Sequence, residues 1–448
     1  MPASRRGGPQ PVTRIAGTGC AALWLAYFGM LQWSVVQFRT SIVATLTLAA
    51  LALAVWVGRQ ARIGLDRVML AMIFLGSAVI ALTVPLFSYL PTGWELAARA
   101  VLAGAGLIVA VLLWQGASAT AWATAVAAYA IASVIAIRTD RAPKIDVWVT
   151  LQQAAEALGR GENFYTVSWV DSPGIQDAFT YLPWTAVLLA PGRWLAGDIR
   201  WMQLVWVVVL ALGIWRWGSL QRTEIGRWSA AAVCGLILLA PGTLTQIDQA
   251  WTEPLLLCAI VWWALLVRSG HPWWAVLPLA LACASKQHLA LVLPLLLVWR
   301  DFGPRRSIAT GAAAGLLMAP WFLTAPADFI HDTITLLASF HPIKFANTWY
   351  LYALNEHGIT PPFWVTGVIV LGTLAAGMLL VARRQPPMGE LLRWIALVLL
   401  VANLVNKQAF YNQFWLVGAL VAISLLADAL DRAQSPAAAA AQPAATAP

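Results

Sequence analysis

Charged residues are scarce in this chain. Only 10% of its 448 residues are Asp, Glu, Lys or Arg, whereas 60% are hydrophobic, and the mean hydropathy is +0.74. A water-soluble domain carries roughly 25% charged residues. So few charges cannot cover a water-exposed surface, which excludes an ordinary soluble domain and indicates that lipid is the main solvent.

Cysteine is also rare. The four cysteines, Cys20, Cys234, Cys258 and Cys283, all fall in apolar stretches. Their positions exclude a disulfide framework and a zinc site built on cysteine spacing.

The sequence contains no Asp-x-Asp pair and no glycine-rich phosphate loop, so it offers no site for a nucleotide sugar. We expect no metal and no cofactor. The formal net charge of +9 comes from arginines that lie between apolar stretches. The positive-inside rule explains such a distribution, and we expect no nucleic-acid partner.

Long apolar stretches, by contrast, recur along the whole chain. Because a bilayer span needs about 20 such residues, the sequence predicts an all-α, polytopic transmembrane bundle of about 12–14 spans. Twelve spans are predicted at 15–36, 41–57, 68–87, 97–114, 119–137, 199–217, 228–243, 251–267, 307–324, 362–381, 390–407 and 411–428.

Two further apolar stretches have alternative interpretations. Residues 181–196 are short and contain two prolines, and residues 273–299 are interrupted by Ser285-Lys286-Gln287-His288. In one solution, 181–196 does not cross and 273–299 forms a hairpin of two short helices with Lys286 near the outer side. In the other solution, each stretch crosses once.

The arginines predict the orientation. If the predicted spans are counted as above, the arginine clusters at positions 5–14, 59–67, 300–306 and 383–384 all fall on one side of the membrane. The positive-inside rule makes that side cytoplasmic. We therefore expect a multi-pass plasma-membrane protein with cytoplasmic termini and two polar loops outside, 138–180 and 325–361. Residues 1–13 are predicted as a basic cytoplasmic arm, and 429–448 as an Ala/Pro-rich disordered tail.

The first outer loop contains a predicted amphipathic helix, 146–158. An apolar stripe at helical spacing runs along Val147, Leu151, Ala154 and Leu158. Asp146 lies in the first turn, on the polar side. Its carboxylate either caps the helix, which stabilises it by about 0.5–2 kcal/mol, or serves as a general base facing an outward cavity. Asp140 is the rival base, although Arg138 and Arg141 beside it favour a structural pair.

Lys286 and His288 interrupt an apolar stretch. Ionisable groups at membrane depth are functional candidates, because burying them is costly. The alternative for Lys286 is a side chain that extends to the interface.

The second outer loop offers a further polar group. His341, Lys344 and Asn347 are predicted to face the first loop, whereas His331-Asp332 is interpreted as a solvated surface pair. Lys407 and Tyr411, at an outer span end, either bind sugar or phosphate or anchor the interface.

Several motifs in this order resemble GT-C glycosyltransferases, and more narrowly glycosyltransferase family 87. They are Asp146-Val147-Trp148, the stretch Gly161-Glu162-Asn163-Phe164-Tyr165, Tyr181-Leu182-Pro183-Trp184 with one proline displaced, and Lys286-Gln287-His288 before Pro294. The resemblance covers about residues 119–428 and implies a GT-C-like catalytic core there. Residues 14–118 would then be an N-terminal extension of four spans.

The resemblance implies an inverting transferase that takes mannose, or alternatively arabinofuranose, from a polyprenyl-monophosphate donor. The acceptor would be an envelope glycolipid or polysaccharide on the outer face of the bilayer. Asp146 would be the general base. Donor phosphate would be bound by Lys286, His288 and Lys344. Substrate would be bound by Tyr181, His341, Asn347, Lys407 and Tyr411. The alternatives are a multi-span transporter or lipid flippase and an envelope polysaccharide polymerase or ligase.

Overall fold

The computed structural model describes residues 14–434, and this part of the chain is helical, without a β-strand. The predicted arm, 1–13, and the end of the predicted tail, from 435, lie outside the described residues. Residues 429–433, predicted as the start of the tail, are helical. The last helix continues to Ala433 because Leu430 is buried and Asp431 pairs with Arg268 at 2.6 Å.

The helices follow one another along the chain with short connections. The first ten are α1 Arg14–Ser34, α2 Thr40–Arg59, α3 Arg67–Thr83, α4 Thr92–Gln115, α5 Ser118–Thr139, α6 Asp146–Gly159, α7 Pro183–Ala196, α8 Arg200–Ser219, α9 Glu224–Leu238 and α10 Leu244–Asp248. The others are α11 Glu253–Arg268, α12 Val276–Cys283, α13 Leu293–Val298, α14 Gly303–Thr324, α15 Pro326–Ile330, α16 Leu336–Ser339, α17 Trp349–His357, α18 Phe363–Arg384, α19 Met388–Val405 and α20 Tyr411–Ala433. Short 3₁₀ segments occupy Phe164–Thr166 and Gln287–Val292, and a π-turn spans His331–Thr335.

The predicted polytopic helical bundle is confirmed. Among the described residues, eight helices are long and apolar enough to cross a membrane: α2, α4, α5, α8, α14, α18, α19 and α20. The other four predicted spans fall on α1, α3, α9 and α11. The predicted amphipathic helix in the first large loop is also present, as α6.

The bundle has two distinct ends. We call the end that carries the connections 140–182 and 325–362 the loop end. We call the opposite end, where the arginine clusters 59–67, 300–306 and 383–384 lie, the arginine end. There the Arg384 guanidinium reaches the Val57 carbonyl, and the Arg300 N–H donates to Gln385 at 2.7 Å.

Residues 273–299 form a re-entrant hairpin, the first of the two alternatives. Both of its ends lie at the arginine end, because Arg306 lies over the Trp273 ring and Trp299 donates to the Pro386 carbonyl at 2.8 Å. Its tip points to the loop end, where the Ser285 carbonyl accepts from Leu182 N at 3.2 Å. The chain thus enters through α12 and returns through Gln287–Val292 and α13.

Helix α7 does not cross the bundle either. It begins beside the hairpin tip, where Trp184 N donates to the Ala284 carbonyl at 3.1 Å. It ends beside α6, because Gln152 donates to the Gly197 carbonyl at 3.1 Å and accepts from Ile199 N at 2.8 Å. Helices α6 and α7 therefore form a layer across the loop end.

The helices differ in how deeply they are buried: one pair is central and others are peripheral. Helices α19 and α20 are almost wholly buried, whereas most of α14 and α18 is exposed. Arg393 of α19 and Asp428 of α20 form a fully buried ion pair at 2.7 Å. The exposed side chains of α14 and α18 include Leu316 and Phe363. Such apolar faces are compatible with contact to lipid tails.

The arginine distribution predicts that the loop end faces away from the cytoplasm. We expect single cysteines at the exposed positions Lys144 and Thr360, in a chain without its four native cysteines, to react with an impermeant maleimide in intact cells. A cysteine at exposed Ala61, at the arginine end, should react only after lysis and serves as the control. The reverse labelling pattern would contradict this orientation.

Candidate active site

Asp146 is the first residue of α6. A later segment of the same loop, at Gly174, passes close to its side chain. Its Oδ1 accepts from Val147 N at 2.8 Å. Oδ2 lies against Gly174, where a Cβ atom would come within 2.8 Å of it, so any larger residue at position 174 would displace the Asp146 carboxylate. Burial raises the pKa of the Asp146 carboxyl above its ordinary value. A carboxylate with a raised pKa is a stronger base than a solvated one.

The rest of the first loop holds α6 in place. Gln153 binds both backbone groups of Val170, accepting from its N–H at 3.0 Å and donating to its carbonyl at 2.7 Å. Leu151 and Ala154 of α6 pack against a buried aromatic cluster that includes Phe164 and Phe179. Asp146 is thereby carried on a helix whose position is fixed by packing as well as by hydrogen bonds.

Tyr181 lies between Asp146 and the hairpin tip. Its ring centre is 5.4 Å from Lys286 Nζ, and its carbonyl accepts from the Tyr165 hydroxyl at 2.7 Å. Burial, with the charges of Asp146 and Glu253, raises the pKa of the Tyr181 phenol well above its ordinary value. The phenol therefore stays protonated and remains a hydrogen-bond donor.

Lys286 forms an ion pair with Glu253 inside the bundle. Its ammonium donates to Glu253 Oε1 and, at 3.3 Å, to the Thr252 hydroxyl. Glu253 is fully buried, and its Oε2 has no hydrogen-bond partner among the described residues. The carboxylate lies in the first turn of α11, where the helix dipole favours negative charge.

His288 completes this group, because it lies close enough to Lys286 and Glu253 to interact with both charges. Four predicted site residues thus form a row of neighbours: Tyr181 lies near both Asp146 and Lys286, and His288 lies near Lys286. Glu253 is a fifth member that the sequence did not single out. Its only sequence signal is a carboxylate at the start of an apolar run.

The predicted residues of the second loop form a separate group. Lys407 donates to the carbonyls of Ala338 and Phe340, at 2.9 Å and 2.5 Å. His341 is exposed and stacks on the Phe340 ring, and Lys344 is exposed. None of the hydrogen bonds, ion pairs or ring contacts within residues 14–434 joins this group to Asp146.

Asn347 and Tyr411 make internal contacts. The buried Asn347 amide accepts from Arg39 N at 2.9 Å and donates to the Gln37 carbonyl at 2.7 Å, so it faces the α1–α2 connection and not the first loop as predicted. The buried Tyr411 hydroxyl donates to the Pro241 carbonyl at 2.8 Å, and its ring stacks on Trp251. Tyr411 thus supports the turn that leads to Glu253.

Two interpretations of acidic residues were wrong. The predicted His331–Asp332 pair is present at 2.9 Å and His331 is exposed, but Asp332 is buried and accepts from Phe179 N at 2.7 Å, which joins the second loop to the first. Asp140 forms no ion pair with Arg138 or Arg141. Its backbone carbonyl accepts from Arg200 instead, a residue 60 positions away.

No protein-family model matches this chain, and no curated protein is significantly similar to it. The resemblance to glycosyltransferase family 87 therefore depends on the motifs alone.

We predict that Glu253→Gln and Lys286→Met each lower the thermal midpoint of the purified protein strongly. Each leaves an unpaired buried charge, and breaking a buried pair costs about 3–5 kcal/mol. The double variant should lose less than the sum of the two. Glu162→Gln, in the exposed pair with Arg160, is the control and should change the midpoint little. Strictly additive losses would contradict this coupling.

Proposed function

We propose that this chain is an integral membrane glycosyltransferase. It transfers a sugar, mannose or alternatively arabinofuranose, from a polyprenyl-monophosphate donor to an envelope glycolipid or polysaccharide on the outer face of the membrane. The observation that supports the proposal is the position of Tyr181, which lies near a basic carboxylate, Asp146, and whose ring centre is 5.4 Å from a buried ammonium, Lys286.

The proposed reaction needs a base on one side of the sugar carbon and positive charge on the other. Asp146 takes the proton from an acceptor hydroxyl as the new C–O bond forms. The bond between the sugar carbon and the phosphate oxygen breaks, and the polyprenyl phosphate leaves with the bonding electrons. A single attack from the opposite face inverts the configuration and requires no covalent intermediate.

Lys286 is the proposed partner of the leaving phosphate. Its ammonium is already held in place by Glu253, so little reorganisation is needed when negative charge develops. Tyr181 offers a neutral donor between the base and the cation. His288, Lys344 and His341 remain predicted contributors to donor and substrate binding.

A second candidate is a lipid flippase or transporter. The observation that favours it is the re-entrant hairpin with its buried Lys286–Glu253 pair, because transporters place charged groups at interrupted helices near the midplane. The position of Asp146 in a layer at the loop end favours the transferase.

We predict that Asp146→Asn removes turnover and leaves the protein folded. The substitution keeps the size of the side chain and removes its basicity, and loss of a general base costs about 10²- to 10⁴-fold in rate. Transfer to a lipid acceptor extract measures the effect. Asp177→Asn, an exposed position of the same loop, is the control and should keep full activity. Turnover close to wild type in Asp146→Asn would make Asp140 the next candidate.

We also predict transfer from a polyprenyl-monophosphate sugar, none from a nucleotide sugar, and no strict need for a divalent ion. Within residues 14–434, no group of three or more His, Cys, Asp or Glu side chains is arranged to hold a metal. The leaving monophosphate carries less charge than a diphosphate, which more often needs Mg²⁺. Purified protein would be given each donor, with and without EDTA. Transfer from GDP-mannose in the absence of polyprenyl phosphate would refute the donor class, and loss of activity in EDTA that Mg²⁺ restores would refute the metal prediction.

A further inference from the structure

The connection between α3 and α4, residues 84–91, reaches the site from the N-terminal four-span segment. Tyr89 N donates to Asp248 Oδ2 at 3.1 Å, and Gln249 donates to the Phe87 carbonyl at 3.4 Å. The rings of Phe87 and Tyr89 meet edge to face at 5.2 Å. These two hydrogen bonds hold the connection against the turn that precedes Glu253.

The phenol of Tyr89 is half-buried, and its hydroxyl makes no hydrogen bond with any residue of the described range. Burial and the charges of Asp248, Asp146 and Asp140 raise the pKa of this phenol. Those three carboxylates therefore lie near a protonated donor that has no partner within residues 14–434.

Two of these three carboxylates have an oxygen without a partner. Asp248 is fully buried, and the Ser88 hydroxyl and Tyr89 N interact with its carboxylate, but Oδ1 has no hydrogen-bond partner among the described residues. Burial raises the pKa of Asp248 to about 7. Asp140 Oδ2 is likewise buried and unpartnered. Leaving a buried polar atom unpaired is costly, so these oxygens favour a ligand that donates.

Arg200 adds a hydrogen-bond donor to this group of carboxylates. It is fully buried, held by Asp198 at 2.7 Å and by the Asp140 carbonyl, and its Nη1 has no partner among the described residues. Its charge acts on Asp248 and on Asp140, which lie nearby. The group therefore combines unpartnered acceptors with unpartnered donors.

We propose that Tyr89, Asp140, Asp248 and Arg200 form a subsite that binds hydroxyl groups of a carbohydrate acceptor next to Asp146. The carboxylates disfavour a phosphate, and the unpartnered Arg200 Nη1 requires an acceptor, which a bare cation cannot supply. A neutral polyol, whose hydroxyls both donate and accept, matches every unpartnered atom. The acceptor role rests on the proposed function, whereas carbohydrate binding does not. The N-terminal four-span segment would then contribute to acceptor selection through Tyr89.

Steady-state transfer tests the acceptor role. Tyr89→Phe and Asp248→Asn should each raise the KM for the lipid acceptor by about tenfold, the effect of losing one hydrogen bond to substrate. The donor KM should stay unchanged. Tyr352→Phe, an exposed tyrosine on α17, is the matched control and should keep both constants. An unchanged acceptor KM in both subsite variants, or an equal rise in the donor KM, would overturn the proposal.

A binding measurement separates this proposal from the proposed function. The thermal midpoint of the full chain, in a detergent without sugar, is followed with added octyl α-D-mannopyranoside and octyl β-D-glucopyranoside. At least one glycoside should raise the midpoint of wild type and of Asp146→Asn, but not of Tyr89→Phe or Asp248→Asn. That pattern supports the subsite even if no transfer is found. No shift in wild type, or the same shift in all variants, would overturn it.

Discussion

The buried ion pair between Lys286 and Glu253 fixes the position of the candidate site within the bundle. Lys286 lies at the tip of the re-entrant hairpin and Glu253 at the start of α11, so their contact sets how far the tip extends. Separating these charges in an apolar interior is costly. The tip, in turn, holds the first turn of α7 through the carbonyls of Ala284 and Ser285. The Lys286–Glu253 pair thus helps to position the α6–α7 layer that carries Asp146.

Hydrogen bonds hold the first loop against the bundle at several points. Asn163 donates to the Trp321 carbonyl at 3.0 Å and to the Thr324 hydroxyl at 2.8 Å, both at the end of α14. Asp332 binds Phe179 N from the second loop. Gln287, at the hairpin tip, donates to the Thr180 carbonyl at 2.9 Å. These bonds come from three different elements, so the geometry around Asp146 is set by the whole loop end and not by α6 alone.

The N-terminal helices are part of the same bundle. The Tyr27 hydroxyl of α1 donates to the Phe414 carbonyl of α20 at 2.7 Å. Asn347 joins the second loop to the α1–α2 connection. With Tyr89 fastened to Asp248, all three contacts place the N-terminal segment around the central helices. An N-terminal segment that did not pack on the rest of the bundle would not share these hydrogen bonds with it.

The sequence by itself predicted α6 and the twelve helices that coincide with predicted spans, because a membrane span and an amphipathic helix are local patterns of about 20 and 14 residues. For the same reason it placed Asp146 at the start of α6. Only the tertiary structure decided that 273–299 turns back and that α7 stays at one end, since both alternatives have the same hydropathy. It also decided the partners of buried charges. Lys286 and Glu253 are 33 residues apart, and Tyr89 and Asp248 are 159 apart. A buried polar group requires some partner, but the sequence around it does not identify which distant residue folding will bring there.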